Sequence, residues 1–180
     1  MNAIRIRIWV DSQDNFIREV EIKSNQYFKD LHDFMVKSLK LDANELASFH
    51  ITDDNWQKIR EISLINMMGK PDPKSGKEVR MLEMGKTRLD TFLMEIDQKL
   101  IYEYDFLQMH TFKLEVVDIS GVDDGIKYPF MATSYGSLQL QENLEVEDDA
   151  DKLKRELLDE FNAMNADEDD DNDFPLDDDN

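Results

Sequence analysis

The run Ile4-Arg5-Ile6-Arg7-Ile8-Trp9-Val10 alternates without a break. Successive side chains of a strand point to opposite faces. A period of two therefore sets Ile4, Ile6, Ile8 and Val10 on one side and Arg5, Arg7 and Trp9 on the other. A chain that begins this way builds a sheet with one apolar and one charged face, and it must find a cover for the apolar one. The polar turn DSQDN at 11–15 and the run FIREVEI, with Phe16, Val20 and Ile22 in register, predict a returning strand and an N-terminal hairpin.

The cover is predicted next. Phe28, Leu31, Met35 and Leu39 recur at intervals of three and four along NQYFKDLHDFMVKSLKL, an amphipathic helix capped by Ser24 or Asn25 and lying on the hairpin. ASFHITDDNW at 47–56 reads as a third strand, with Phe49 and Ile51 on one face, before an Asp-Asp-Asn turn. Hairpin, helix and strand in this order suggest an α+β fold with a ubiquitin-like (β-grasp-like) N-terminal half. MMGKPDPKSGK at 67–77 gathers proline and glycine into a loop between two β-rich halves that share one core. Leu89, Phe92, Leu93 and Ile96 then have the spacing of a short helix, and LIYEYDF with FKLEVVDI forms a second hairpin. Residues 121–141 carry turn chemistry at both ends and predict irregular strands.

Charge separates the body from its tail. The chain has 180 residues and a formal charge of −20, and residues 142–180 hold 18 acids against Lys152, Lys154 and Arg155. That stretch is therefore net −15, and residues 1–141 are net −5. Leu153, Leu157, Leu158, Phe161 and Met164 fall at helical spacing, which predicts an acidic amphipathic helix over 142–164. ADEDDDNDFPLDDDN beyond it is too charged and too poor in apolar groups to order itself. The expected domains are thus 1–141, 142–164 and a disordered tail at 165–180.

Composition and motifs exclude several classes of chemistry. Without cysteine there is no disulfide framework, thiolate zinc site or cysteine nucleophile. His32, His50 and His110 have no metal-binding spacing, and DEDDDND lacks the glycine and closing glutamate of a calcium loop. Phosphate-cradling glycine loops and the Gly-x-Ser-x-Gly elbow are missing, so no metal or cofactor is expected. The best basic feature is Arg5 and Arg7, with Lys23, Lys29, Lys37 and Lys40 near in sequence; a net acidic body and tail repel phosphate and argue against direct nucleic-acid binding. MNAIRIRIWV is not a secretory signal and no window is long and apolar enough to span a membrane, so the expectation is a soluble cytoplasmic protein.

One catalytic constellation can be drawn. Glu103, Asp105 and His110 lie close in sequence, and a carboxylate between Tyr104 and Phe106 would have its pKa raised by desolvation. Alternation argues the other way. It puts Leu100, Tyr102, Tyr104 and Phe106 on one face and Ile101, Glu103 and Asp105 on the other, the pattern of a tyrosine-rich core with a wetter acidic back.

Six stretches carry a family likeness: IRIWVD with FIREVEI, FKDLHDFMVKSL, FHI, TRLDTFL and above all KLIYEYDFLQMHTFKLEV. Over residues 3–140 the chain resembles the Ri-plasmid ORF-3-like family, some members of which are named as resolvase-type (TnpR-type) passenger proteins of insertion elements. The resemblance implies an α+β fold and a bacterial or mobile-element setting. Where the family's hairpin continues as Gly-Asp and then Trp-x-His, this chain has Leu107, Gln108, His110 and Phe112, and of the later proline-rich acidic motif only Tyr128-Pro129 stands. A catalytic role therefore does not carry over. The expected function is a non-enzymatic protein-interaction module whose partner binds the C-terminal helix, through Leu153, Leu157 and Phe161, and the acidic tail. The competing expectation is a nucleic-acid-associated or hydrolytic enzyme using Glu103, Asp105 and His110.

Overall fold

The computed structural model describes residues 1–13, 15–65 and 82–140. One eight-stranded sheet and one helix account for its regular structure. In chain order the elements are β1 (Asn2–Trp9), β2 (Ile17–Lys23), α1 (Phe28–Leu39), β3 (Ala47–Thr52), β4 (Lys58–Ser63), β5 (Leu82–Glu83), a single 3-10 turn (Leu89–Thr91), β6 (Lys99–Tyr104), β7 (His110–Gly121) and β8 (Phe130–Tyr135). The strands lie in the order β5-β4-β3-β6-β7-β1-β2-β8. Every pairing is antiparallel except β4 with β5.

The apolar halves of the alternating strands face one side. Ile4, Ile6 and Ile8 of β1, Val20 and Ile22 of β2, Phe49 of β3, Leu100, Tyr102 and Tyr104 of β6, and Phe112, Leu114 and Val116 of β7 are all buried in one core. Four antiparallel steps separate β2 from β3, so these two strands run the same way. Such strands need a crossover, and α1 is that crossover. Its Phe28, Leu31, His32, Met35 and Val36 close the core, with the Phe28 and Phe49 rings 5.4 Å apart.

Hairpin, helix and strand thus occur in the expected order, but they do not pair as a separate N-terminal half. β7 and β6 lie between β1 and β3, so the two sequence halves interleave in one sheet. The helix also starts later than its composition suggested. Ser24 and Asn25 belong to the turn that ends β2, where Ser24 N–H donates to the Asn2 carbonyl and Gln26 Oε1 accepts from Lys23 N–H. The first helical turn is closed instead by Asp30, whose carboxylate accepts the Tyr27 N–H at 2.7 Å.

The short helix expected at 89–96 is one 3-10 turn. Leu89 and Leu93 are buried, but Ile96 is 53% exposed, because Gln98 Oε1 accepts from Met94 and Glu95 N–H and Asp97, at φ 69°, turns the chain into β6. Of the irregular strands expected at 121–141, one regular strand forms, β8. The expected loop at 67–77 lies outside the described residues, as do the helix at 142–164 and the tail at 165–180. No helix among the described residues is long and apolar enough to cross a membrane.

Candidate functional site

The structure separates the three residues of the predicted hairpin site. Glu103 points to the helix-free face of the sheet, where it is the register partner of Ser48 and Thr111. His110 pairs with Tyr104 on the opposite, core-facing side, and the two rings stack at 6.2 Å. Asp105 belongs to neither face. It leaves the strand at φ 55°, and its Oδ1 accepts from the N–H groups of Leu107 and Gln108, a role an aspartate fills in many turns. Alternation ends at Tyr104, so Phe106 lies in the turn rather than on the core face.

The helix-free face is instead organised in rows across the strands. One row reads Glu19-Arg7-Glu115-Lys99, with charge alternating from β2 to β6. The next reads Ile17-Trp9-Lys113-Ile101-His50-Glu61, and the one after it Thr111-Glu103-Ser48-Ser63. Opposite charges at directly facing positions stabilise a sheet, so this surface is part of the fold. Arg7 holds Glu19 through two guanidinium nitrogens at 2.8 and 3.0 Å.

Glu103 is the centre of the tightest cluster on this face. His50 Nε2 lies 2.8 Å from one carboxylate oxygen, and the Lys58 ammonium bonds the other. Burial pushes the Glu103 carboxyl up, but the bonds and charges of Lys58 and His50 outweigh it and hold the group below the usual carboxylate range. A carboxylate stabilised in its charged form is a poor general acid. It can orient an imidazole, but both hydroxyls that face it in the register are bonded elsewhere, that of Ser48 to Glu61 at 2.7 Å and that of Thr111 to the Met109 carbonyl at 3.4 Å. Among the described residues no nucleophile is bonded to His50, and no group of histidines and carboxylates could hold a metal ion.

A second cluster gathers both tryptophans of the chain. Trp56, in the turn between β3 and β4, meets Trp9 edge-on at 5.5 Å, and the Lys113 and Lys99 ammoniums lie 4.7 and 5.4 Å from its ring centre. Trp56 adopts φ 64°, which is costly for a bulky side chain, and these ring contacts hold it there. Beside this cluster a cleft of about 410 Å³ opens between Arg7, Trp9, Val10, Asp11, Gln13, Ile17 and Glu115. Sequence reasoning named neither cluster. The alternation already put Arg5, Arg7 and Trp9 on one face, but no local pattern ties them to Trp56 or His50. Leu153, Leu157 and Phe161 lie outside the described residues.

No curated protein matches the chain. Among solved structures it is similar to a protein of unknown function from Methanosarcina mazei Go1, at 16% identity and a TM-score of 0.58, over 74% of this chain and 68% of that one. At that identity the likeness speaks for the fold: an α+β body built on one large sheet. The family model of the plasmid pRiA4b ORF-3-like proteins matches residues 2–153, which takes in the whole sheet and its helix. The chain therefore belongs to the plasmid pRiA4b ORF-3-like family.

Proposed function

We propose that the chain is a non-enzymatic protein-interaction module whose β6–β7 hairpin tip seats in an apolar pocket bordered by basic side chains on a partner protein. The observation that carries this reading is the tip itself. Leu107 is 91% and Met109 54% exposed, beside a partly exposed Phe106. Asp105 braces this turn through its side chain, and Met109 N–H donates back to the Asp105 carbonyl at 2.6 Å. Apolar side chains held out on a braced turn serve a contact better than they serve solubility. Asp42, Glu45 and Asp105 surround Tyr104 at the base of the hairpin, and this acidic rim favours a basic border on the partner.

The helix expected at 142–164, with Leu153, Leu157 and Phe161, is a second contact in the same reading. The hydrolytic alternative gains no support from Glu103, Asp105 and His110, which sit on one face, in a turn and on the other face.

Affinity capture with the full chain, a Leu107→Ser/Met109→Ser variant and a chain ending at residue 141 tests the proposal. A protein retained by the full chain should be lost with the double substitution. Undiminished retention by that variant would overturn the role of the tip, and loss only on truncation would move the contact to the C-terminal segment.

A further inference from the structure

The cleft beside Trp9 has a feature that the alternating charge row leaves unexplained. Glu115 stands between Arg7 of β1 and Lys99 of β6 in register, yet its carboxylate forms no ion pair or hydrogen bond among the described residues. Both neighbouring cations are engaged elsewhere. Arg7 directs two nitrogens to Glu19, and Lys99 donates to the Asp54 carbonyl at 2.9 Å while lying over Trp56. Lys113, one row away, is paired with Asp11. Two ion pairs thus flank the cleft, Arg7 with Glu19 and Lys113 with Asp11. Glu115 and Lys99, which face each other in register, are in no ion pair among the described residues, so the Glu115 oxygens keep their acceptor capacity.

Beside the polar Arg7, Asp11 and Gln13, three lining residues are suited to an apolar stem. Trp9, Val10 and Ile17 contribute an indole and two aliphatic side chains, and the Trp9 ring is fixed because its N–H donates to Asp11 at 3.2 Å. About 410 Å³ falls within the range of small-molecule sites, roughly 300–1,000 Å³. An aromatic wall beside a carboxylate with free acceptor capacity recognises an organic cation, by the attraction of the ring for positive charge and by a charge-assisted hydrogen bond.

We propose that this cleft binds an alkylammonium or alkylguanidinium group, its cation on Glu115 and its stem along Trp9, Val10 and Ile17. That chemistry is shared by a free amine and by a lysine or arginine side chain of a peptide. The site is separate from the hairpin tip, so it stands or falls independently of the protein-interaction reading.

Both tryptophans of the chain lie at this cleft or beside it, so their indole N–H resonances report binding directly. The full chain is titrated with n-butylammonium, with the blocked tripeptide acetyl-Gly-Lys-Gly-amide, and with n-butanol and butyrate as controls at equal ionic strength. The expected result is a saturable shift of the Trp9 resonance with the two cations and none with the controls. Glu115→Gln should weaken binding at least fivefold. Gln13→Lys, which sets a competing ammonium on the lining in place of the half-buried amide that bonds the Gln139 backbone, should weaken it too and does not depend on Glu115→Gln folding. If the tripeptide binds at least tenfold tighter than butylammonium, the ligand is a peptide side chain; equal affinities assign a free amine. No saturable shift with either cation, equal shifts with butanol, or unchanged affinity in both variants would overturn the site.

Discussion

His32 of α1 and Tyr102 of β6, seventy residues apart, are joined by a 2.8 Å hydrogen bond between Nδ1 and the phenolic oxygen inside the core. It is the polar contact that ties the only helix among the described residues to the middle of the sheet. Tyr102 is fully buried, and burial pushes its phenol far above its usual pKa, so the hydroxyl keeps its proton. Tyr102→Phe would leave the buried imidazole nitrogen without this partner. We expect a loss of about 1–3 kcal/mol, read by urea denaturation. An unchanged midpoint would mean that the bond contributes nothing net.

Acid should weaken the fold through the same histidine. Burial lowers the His32 pKa, with a smaller opposing effect from Asp33 and a further lowering by Lys29, so the folded state holds it neutral where the unfolded chain takes up a proton, at about pH 6.5. Stability should therefore be complete above that pH and fall as the pH drops below it, until the folded group also protonates. His32→Asn keeps an acceptor near the Nδ1 position and does not titrate. The variant should lose the upper part of the acid slope, and an identical pH profile would show that His32 is not the cause.

The two partners of Glu103 should differ in weight. Lys58 is 44% exposed and its ion pair is screened, whereas the His50 and Glu103 side chains are 11% and 14% exposed. Lys58→Ala should cost under about 1 kcal/mol, and His50→Ala about 1–3 kcal/mol. Because the Glu103 carboxyl is held low, its contribution is present above the ordinary carboxylate range and is lost as the pH falls through the folded value. Thermal melts of both variants at neutral pH check the order; the reverse order would place the stabilisation on the surface pair.

The hairpin turn offers a test of backbone and side chain together. Asp105 and Met109 both have positive φ, 55° and 54°. Asp105→Asn keeps the turn acceptor and tolerates this conformation, so its midpoint should move by less than about 0.5 kcal/mol. Asp105→Ala loses both and should cost about 1–2 kcal/mol. Met109→Gly should instead raise the melting temperature, because it relieves the left-handed conformation at an exposed site. Equal behaviour of the Asn and Ala variants would remove the side-chain acceptor from the account.

Gly136 should accept no side chain. It has φ 69°, and a Cβ there would lie 1.4 Å from the Asn15 carbonyl oxygen. Gly136→Ala must displace the approach to β2 or the end of β8, at a cost of about 2 kcal/mol or more. Loss of the β2–β8 amide protection in hydrogen exchange would locate the damage, and a wild-type melt would refute the close approach.

Most strands and the buried face were legible because alternation is local. β1, β2, β3, β6 and β7 follow from residues whose neighbours in sequence already state which side they face. β4 was not legible: Lys58, Ile59, Arg60 and Glu61 are all exposed, since β4 has a full-length neighbour in β3 and only two residues of β5 on its other edge. The three hairpin residues do not share a face for a related reason. Closeness of Glu103, Asp105 and His110 in sequence says nothing about faces once the chain reverses through a left-handed turn.

By itself the sequence determined that this protein would be a one-sided sheet under an amphipathic helix, with Leu100, Tyr102 and Tyr104 inward and Glu103 outward. Only the tertiary structure decided which strands are neighbours, and with that the contacts of His50 with Glu103, Trp9 with Trp56, and His32 with Tyr102. The physical reason is that a period of two assigns each side chain to a face, whereas strand order depends on pairing between segments tens of residues apart, driven by burying all the apolar faces under one helix.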